Sequence, residues 1–265
     1  MSRGTKQVVA VAALLLSLSF CMQANSQDLS QAIKLSKSEQ FRKAGSAFRE
    51  LIRQNPASGD NYYFYGKNFL DKFYSDTLNI SFEEMADSAQ SVFQEGIKQD
   101  PANAMNLVGL GGLDLIRKKL PEAQAEFAKA FALLPSKANK QLKMEPARQS
   151  QILIEMAETY VTASVRDTGA VFSLFRTAEK LDSKNPNLYI VKGDVYFYLL
   201  NDGSKAIANY SMAQTLDPKS PEAKLKIGQL WMRARQYTNA LNYYQDVVKM
   251  DSTFAPAYRE LGSLL

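Results

Sequence analysis

The feature that most narrows what this chain can fold into is a pattern that repeats along its length. Residues 225–251, LKIGQLWMRARQYTNALNYYQDVVKMD, set Gly228 three residues before Trp231 and then place Ala240, Tyr244 and Val247. Residues 107–135, LVGLGGLDLIRKKLPEAQAEFAKAFALLP, carry Leu110-Gly111, Ala123, Phe127, Ala130 and Pro135 at matching offsets. Self-similarity at a fixed spacing is the mark of a stacked array, because one unit cannot bury its apolar face alone. Each residue type has a physical reason for its place. A small residue in the first helix of a unit lets the second cross it closely. Aromatics fill the space between the two helices and the next unit. Prolines fall at helix starts, where a missing N–H is no loss.

Four more segments carry the pattern. Residues 29–56 end AGSAFRELIRQNP, with Ala44, Phe48 and Pro56 in place. YYFYGKNF supplies Tyr62, Tyr65, Gly66 and Phe69, and the helix after it Ala89, Phe93 and Pro101. A degenerate unit has Ala157, Tyr160, Phe175 and Ala178, and the next has Tyr189, Gly193, Tyr196, Ala206, Tyr210, Ala213 and Pro218. This spacing resembles the tetratricopeptide repeat, a helix–turn–helix unit of about 34 residues. The resemblance implies an all-α solenoid, a right-handed superhelix of about six and a half repeats. The expected units are 27–58, 59–103, 104–137, 138–184, 185–219 and 220–254, with a partial unit at 255–265.

The phase slips twice. Residues 71–80 lengthen the second unit and read as an inserted loop whose Phe73, Tyr74 and Ile80 fold back onto the array. Ser81 and Glu84 after it form a capping box that starts a helix. Residues 136–151 form a second insertion, locally basic through Lys137, Lys140, Lys143 and Arg148. Four cations over twelve residues read as a solvated extension, with groove contacts as the alternative.

Residues 1–26 read as a secretory signal peptide. Arg3 and Lys6 give a positive start, Val8 to Phe20 an apolar stretch, and Ala24 and Ser26 the small residues of a cleavage site. The apolar run is short for a membrane-spanning helix, so a retained anchor is the alternative. Cys21 invites comparison with lipoprotein signals, but the residue before a lipidated cysteine is small and Phe20 is bulky. Cleavage after Ser26 is expected, with lipidation of Cys21 left open. The expected location is outside the cytoplasm: periplasmic or outer-envelope associated in a bacterium, otherwise secreted.

Composition excludes several chemistries. The chain has no histidine, so Ser-His-Asp and Cys-His catalysis and His-ligated zinc are ruled out. With Cys21 as the one cysteine, no intrachain disulfide and no multi-cysteine metal site can form. The net charge of +5 includes Arg3 and Lys6, so the balance without the leader is a weak argument for nucleic acid. GLGGLD at Gly109 is a near miss for a dinucleotide-binding glycine fingerprint, with Asp114 in place of the last glycine and no strand before it. No cofactor and no catalytic residue is assigned.

The family resemblance implies that first helices line the concave groove, with their second, fifth, ninth and twelfth repeat positions facing it. In the matching units these are Asp60, Tyr63, Lys67 and Leu70; Met105, Val108, Gly112 and Leu115; Asn187, Ile190, Asp194 and Phe197; Glu222, Leu225, Gln229 and Met232. All of these except Asp60 and Gly112 are the candidate partner-binding residues. An apolar stripe at the fifth and twelfth positions would receive a partner's helix or extended segment. The alternative is that these side chains pack between adjacent first helices.

Function has three readings at this point. The first is a non-enzymatic interaction or scaffolding protein of the envelope that holds a protein or peptide in the groove, with peripheral envelope association. The second is the N-terminal array of a longer protein, since AYRELGSLL opens a seventh unit and leaves Tyr258, Leu261, Leu264 and Leu265 unpartnered. The third is a carboxylate-based hydrolase using Asp194 and Glu222, the inner-face acidic pair on adjacent units.

Overall fold

The computed structural model describes residues 28–137 and 139–264; the leader read at 1–26 and Leu265 lie outside the described residues. Among the described residues there are thirteen helices and no strand. They are α1 (28–37), α2 (Phe41–Gln54), α3 (Gly59–Ser75), α4 (Phe82–Gln99), α5 (Ala104–Ile116), α6 (Leu120–Ala132), α7 (Pro146–Thr162) and α8 (Thr168–Leu181). Next come α9 (Pro186–Asp194, prolonged by a π-helical turn over Val195–Leu199), α10 (Gly203–Leu216), α11 (Pro221–Arg233), α12 (Tyr237–Met250) and α13 (Ala255–Gly262). From α3 onward helices pair as α3 with α4, α5 with α6, α7 with α8, α9 with α10 and α11 with α12, and first helices also touch one another.

Each second helix buries the same knob. Phe48, Phe93, Phe127 and Phe175, then Tyr210 and Tyr244, are buried, each with a small or β-branched apolar residue four positions before it. Four knobs press on a glycine of the first helix in their own pair. A Cβ on Gly66, Gly111, Gly193 or Gly228 would come within 2.3 to 2.5 Å of a ring carbon of Phe93, Phe127, Tyr210 or Tyr244. Helix crossing at that range needs a residue without a side chain.

Five of the turns inside a pair share one device. Glu39, Lys118, Ser164, Asn201 and Arg235 all take a positive φ of 54 to 60°. At all five the next residue's N–H reaches back to the helix, as from Gln40 to the Leu35 carbonyl and from Gln236 to that of Trp231. This satisfies carbonyls that the helix end leaves free. Such left-handed caps usually carry glycine, and here none does.

The longer connection of the second pair departs from the expected inserted loop. Residues 71–75 continue α3, and Phe73 packs edge-on against Phe82 at the start of α4, 5.2 Å between ring centres. The aromatic side chains let the helix run on because the extension has its own apolar partner. The Ser81 hydroxyl accepts from the Glu84 N–H, as the capping motif requires. In the basic stretch, Arg148 lies inside α7 and pairs with Asp60 of α3, so this cation is held by the array.

Candidate functional site: the concave face

Three glycines of α5 set how closely its neighbours approach. Gly109 faces Phe93 of α4, Gly111 faces Phe127 of α6, and Gly112 faces Thr159 of α7, where a Cβ would meet the threonine methyl at 2.6 Å. The near-miss dinucleotide motif is therefore a packing device. With α5 stripped of side chains on these faces, α3 and α7 approach across it, and their polar residues meet on the inner side.

That meeting forms the first charged cluster. The Lys67 ammonium donates to Glu155 at 2.9 Å and to Glu158 at 2.7 Å, and the Tyr63 hydroxyl donates to Glu155 at 2.7 Å. Asp71, one turn along α3, adds a third carboxylate near the same lysine, 3.5 Å from the Ser36 hydroxyl. Burial pushes the Glu158 carboxyl up to about 7 and that of Asp71 up to about 6, with Lys67 offsetting part of the rise. Burial acts on Glu155 too, but the charge of Lys67 and the two hydrogen bonds outweigh it and hold that carboxyl below its ordinary value. Glu155 keeps its charge, and Glu158 is the one that takes a proton first.

A second cluster sits on α9 and α11. Asp194 accepts from the Tyr210 hydroxyl at 2.7 Å and pairs with Lys226 at 2.9 Å. Gln229 donates to Glu260 of α13 at 2.8 Å, while its carbonyl oxygen is buried with no partner among the described residues. The Tyr244 hydroxyl lies 3.4 Å from the same Glu260. Glu222, at the start of α11, accepts from Lys37 of α1 at 2.6 Å.

The clusters bound two adjoining cavities, one of about 400 Å³ and one of about 550 Å³. Both share Lys67, Asp71, Tyr74, Glu155, Glu158, Asp194 and Lys226 in their walls. The larger reaches Gly109, Gly112, Thr159 and Tyr198; the smaller reaches Lys37, Asn187, Glu222, Leu225 and Gln229. Tyr74 and Tyr198 are 41% and 45% exposed, so each offers ring surface at the edge of a cavity. Among the described residues no group of three or more histidine, cysteine, aspartate or glutamate side chains is placed to hold a metal ion.

No family model matches the chain, and no curated protein does. Solved structures do. Human IFIT1, described as a dimer with PPP-AAAA, is 16% identical over 84% of this chain and 49% of its own, with a TM-score of 0.56. PilW, described as a widely conserved type IV pilus biogenesis factor, is 12% identical over 90% of this chain and 98% of its own, at 0.48. A thermophilic TPR protein of Thermus thermophilus is 15% identical over 91% and 98%, at 0.45. Helix pairs in series, each burying an aromatic knob and four of them seating it on a glycine, decide the architecture. The fold is the tetratricopeptide repeat.

The tetratricopeptide array spreads the sequence-derived groove residues over two environments. Tyr63, Lys67, Leu70, Asn187, Ile190, Asp194, Glu222, Leu225 and Gln229 line one or both cavities. Met105, Val108 and Leu115 are instead buried in the core, with 0%, 0% and 3% exposure, so a partner cannot reach them. The cause is that α5 lies against both α3 and α7, so these side chains pack between adjacent first helices, the alternative reading. Met232 packs beside Leu225 and Tyr244. Phe197 is buried with Ala206, Tyr210, Ile227 and Leu230. The π turn adds a residue at the end of α9 and rotates the side chains beyond it. Tyr198 takes the inner position, with the Lys226 ammonium 5.3 Å from its ring centre.

Sequence reasoning missed Glu155, Glu158, Asp71, Lys37 and Lys226. The α7 carboxylates sit in the degenerate unit, to which no repeat positions were carried over, and α1 matched the pattern poorly. The Asp194–Glu222 pair is engaged by two different lysines. That is an arrangement of ion pairs, not of a free acid and base.

Proposed function

We propose that this protein is a non-enzymatic interaction module that receives a segment of a protein partner on its concave face. One observation carries the reading: the inner cavities combine apolar wall, hydrogen-bonding charge and exposed tyrosine rings at their edges. Binding pockets mix these ingredients in this way. The smaller cavity is walled by Lys37, Lys67, Lys226 and Arg259 against six carboxylates, those of Glu39, Asp71, Glu155, Glu158, Asp194 and Glu222. The surplus of acid favours a partner segment that brings a cation of its own.

The envelope location is part of the proposal and rests on the leader read at 1–26. Among the described residues no helix is long and apolar enough to cross a membrane. Site-specific photocrosslinking tests the groove: a probe at Tyr198 captures a partner, a probe at convex-side Met212 does not, and Asp71→Lys with Glu158→Lys weakens capture of a partner that brings a cation. Equal capture from both positions, untouched by the charge reversals, would remove the groove reading. Sequencing the N-terminus of the exported chain tests the location, with Gln27 as the expected first residue.

A further inference from the structure

In a repeat array each unit is held by its neighbours, and contacts between distant units are not needed for cohesion. Besides the meeting of α3 with α7, this molecule makes such contacts at a seam between its first and last helices. Lys34 of α1 pairs with Asp251 at 3.1 Å, and Lys37 of α1 pairs with Glu222 of α11 at 2.6 Å. Glu39, in the turn after α1, pairs with Arg259 of α13. The partners lie 217, 185 and 220 residues apart in sequence. One side presents two cations and an anion, and the other presents two anions and a cation.

The seam is not built like a core. The side chains of Lys34, Lys37 and Arg259 are 60%, 42% and 48% exposed, while their acidic partners Asp251, Glu222 and Glu39 are 12%, 26% and 20% exposed, so each pair keeps its cation in solvent. Cavities of about 400 Å³ flank it on both sides, each with Ile33 and Phe254 in its wall. A seam with adjoining voids lacks the dense apolar contact that locks a protein interior. Exposed ion pairs are individually weak and are screened by salt. The contact is matched in charge and therefore specific, yet weak enough to open.

We infer that the first helix pair closes against α11–α13 as an ionic latch, and that the latch controls entry to the concave cavity. Opening it separates Lys37 from Glu222 and exposes the wall of the smaller cavity, while the α3–α7 cluster stays intact. The latch belongs to the free protein and does not depend on what the groove binds.

The test places spin labels at Gln31→Cys and Ser252→Cys in the full chain, with Cys21→Ser, and measures the distance between them. At low salt the labels give one short, narrow distance; at about 1 M salt, where the screening length falls to about 3 Å, longer distances enter. Reversing Lys34→Glu and Lys37→Glu raises the open fraction roughly tenfold, and adding Asp251→Lys and Glu222→Lys restores the closed distance. Circular dichroism checks the fold. If the reversal does not fold, Lys34→Gln with Lys37→Gln stands in for it, with a smaller opening in the same direction. A bulky maleimide reacting with Ile190→Cys gives a second readout and goes faster in each opened variant. Distances unmoved by salt and by every substitution would overturn the latch, as would long distances in the parent at low salt. Neither readout uses a partner, so the latch can fail while the groove proposal stands.

Discussion

The first four helix pairs and the last two solve one packing problem with different chemistry. Where the earlier pairs place phenylalanine at the knob, at Phe48, Phe93, Phe127 and Phe175, the later ones place Tyr210 and Tyr244. One continuous core takes in residues from Ala32 to Leu199, whereas from Ile190 and Phe197 onward other buried apolar residues among the described ones fall into three small groups. A buried tyrosine brings a hydroxyl that must find an acceptor. Tyr210 uses Asp194 and Tyr244 lies near Glu260, and those carboxylates in turn engage Lys226 and Gln229. A single oxygen at the knob thus draws a chain of polar residues onto the inner face. In the first half the charged residues reach that face differently: α3 and α7 meet because the α5 glycines allow it.

The comparison can be broken at several points, with effects of decreasing size. Phe93→Ala should cost about 4 kcal/mol in urea unfolding, because the ring fills the space against Gly66 and Gly109 and stacks on Tyr63. Hydrogen exchange should show the loss spreading through the continuous core; a loss confined to α3 and α4 would mean that the first half is not one cooperative unit. Lys226→Met should cost about 2–3 kcal/mol by leaving Asp194 without its cation, somewhat less than for a fully buried pair. The weakened amides should lie in α9–α11, and adding Asp194→Asn should recover most of the loss.

A finer contrast compares glycines within the second half. Gly193→Ala should cost about 2 kcal/mol, because its Cβ would strike a Tyr210 ring tethered to Asp194. Gly228→Ala should cost less in the same assay, since the Tyr244 hydroxyl is held by a longer contact and the ring can give way. Equal costs would mean that the hydroxyl tether does not set how far the ring can shift.

The smallest effect is on pH dependence, and it belongs to the first half. Glu158 and Asp71 are raised to about 7 and about 6 in the folded state. Between the ordinary carboxylate range and these values, the folded chain binds protons that the unfolded chain does not. Their contribution therefore grows as pH falls from about 8 towards 5 and is lost as pH rises through 6 to 7. Glu155 and Glu222 are lowered, so their stabilisation holds at neutral pH and disappears only as pH falls below the ordinary range. Glu158→Gln should add about 1 kcal/mol at pH 8 and little at pH 5, the gain being limited by solvent screening. Thermal unfolding at the two pH values measures it, and an equal gain at both would show that Glu158 is not the proton-binding group.

The architecture was legible because the residues that make it are local and repeated. A small residue and an aromatic at a fixed spacing describe a helix pair wherever they occur, so Gly111 with Phe127 and Gly228 with Tyr244 could be read without coordinates. The within-pair turns were less legible: left-handed caps usually announce themselves by glycine, and Glu39, Lys118, Ser164, Asn201 and Arg235 hold that conformation without it. The aromatic segment 71–75 read as loop because spacing counts residues and does not see that Phe73 finds Phe82.

The concave face was legible only in part, and the reason is how closely successive first helices pack. Repeat positions tell which residues of an ideal unit point inward. They do not say that Gly112 lets α7 come close enough to bury Met105 and Val108, nor that a π turn exchanges Phe197 for Tyr198. The sequence by itself determined the units: their helices, their knobs and the small residues beneath them, because those depend on neighbours a few positions away. Only the tertiary structure decided that Lys67 would be shared by Glu155 and Glu158, and that Lys37 would meet Glu222 across 185 residues. Those contacts depend on the accumulated angle between successive units, a sum over the whole array that no single repeat encodes.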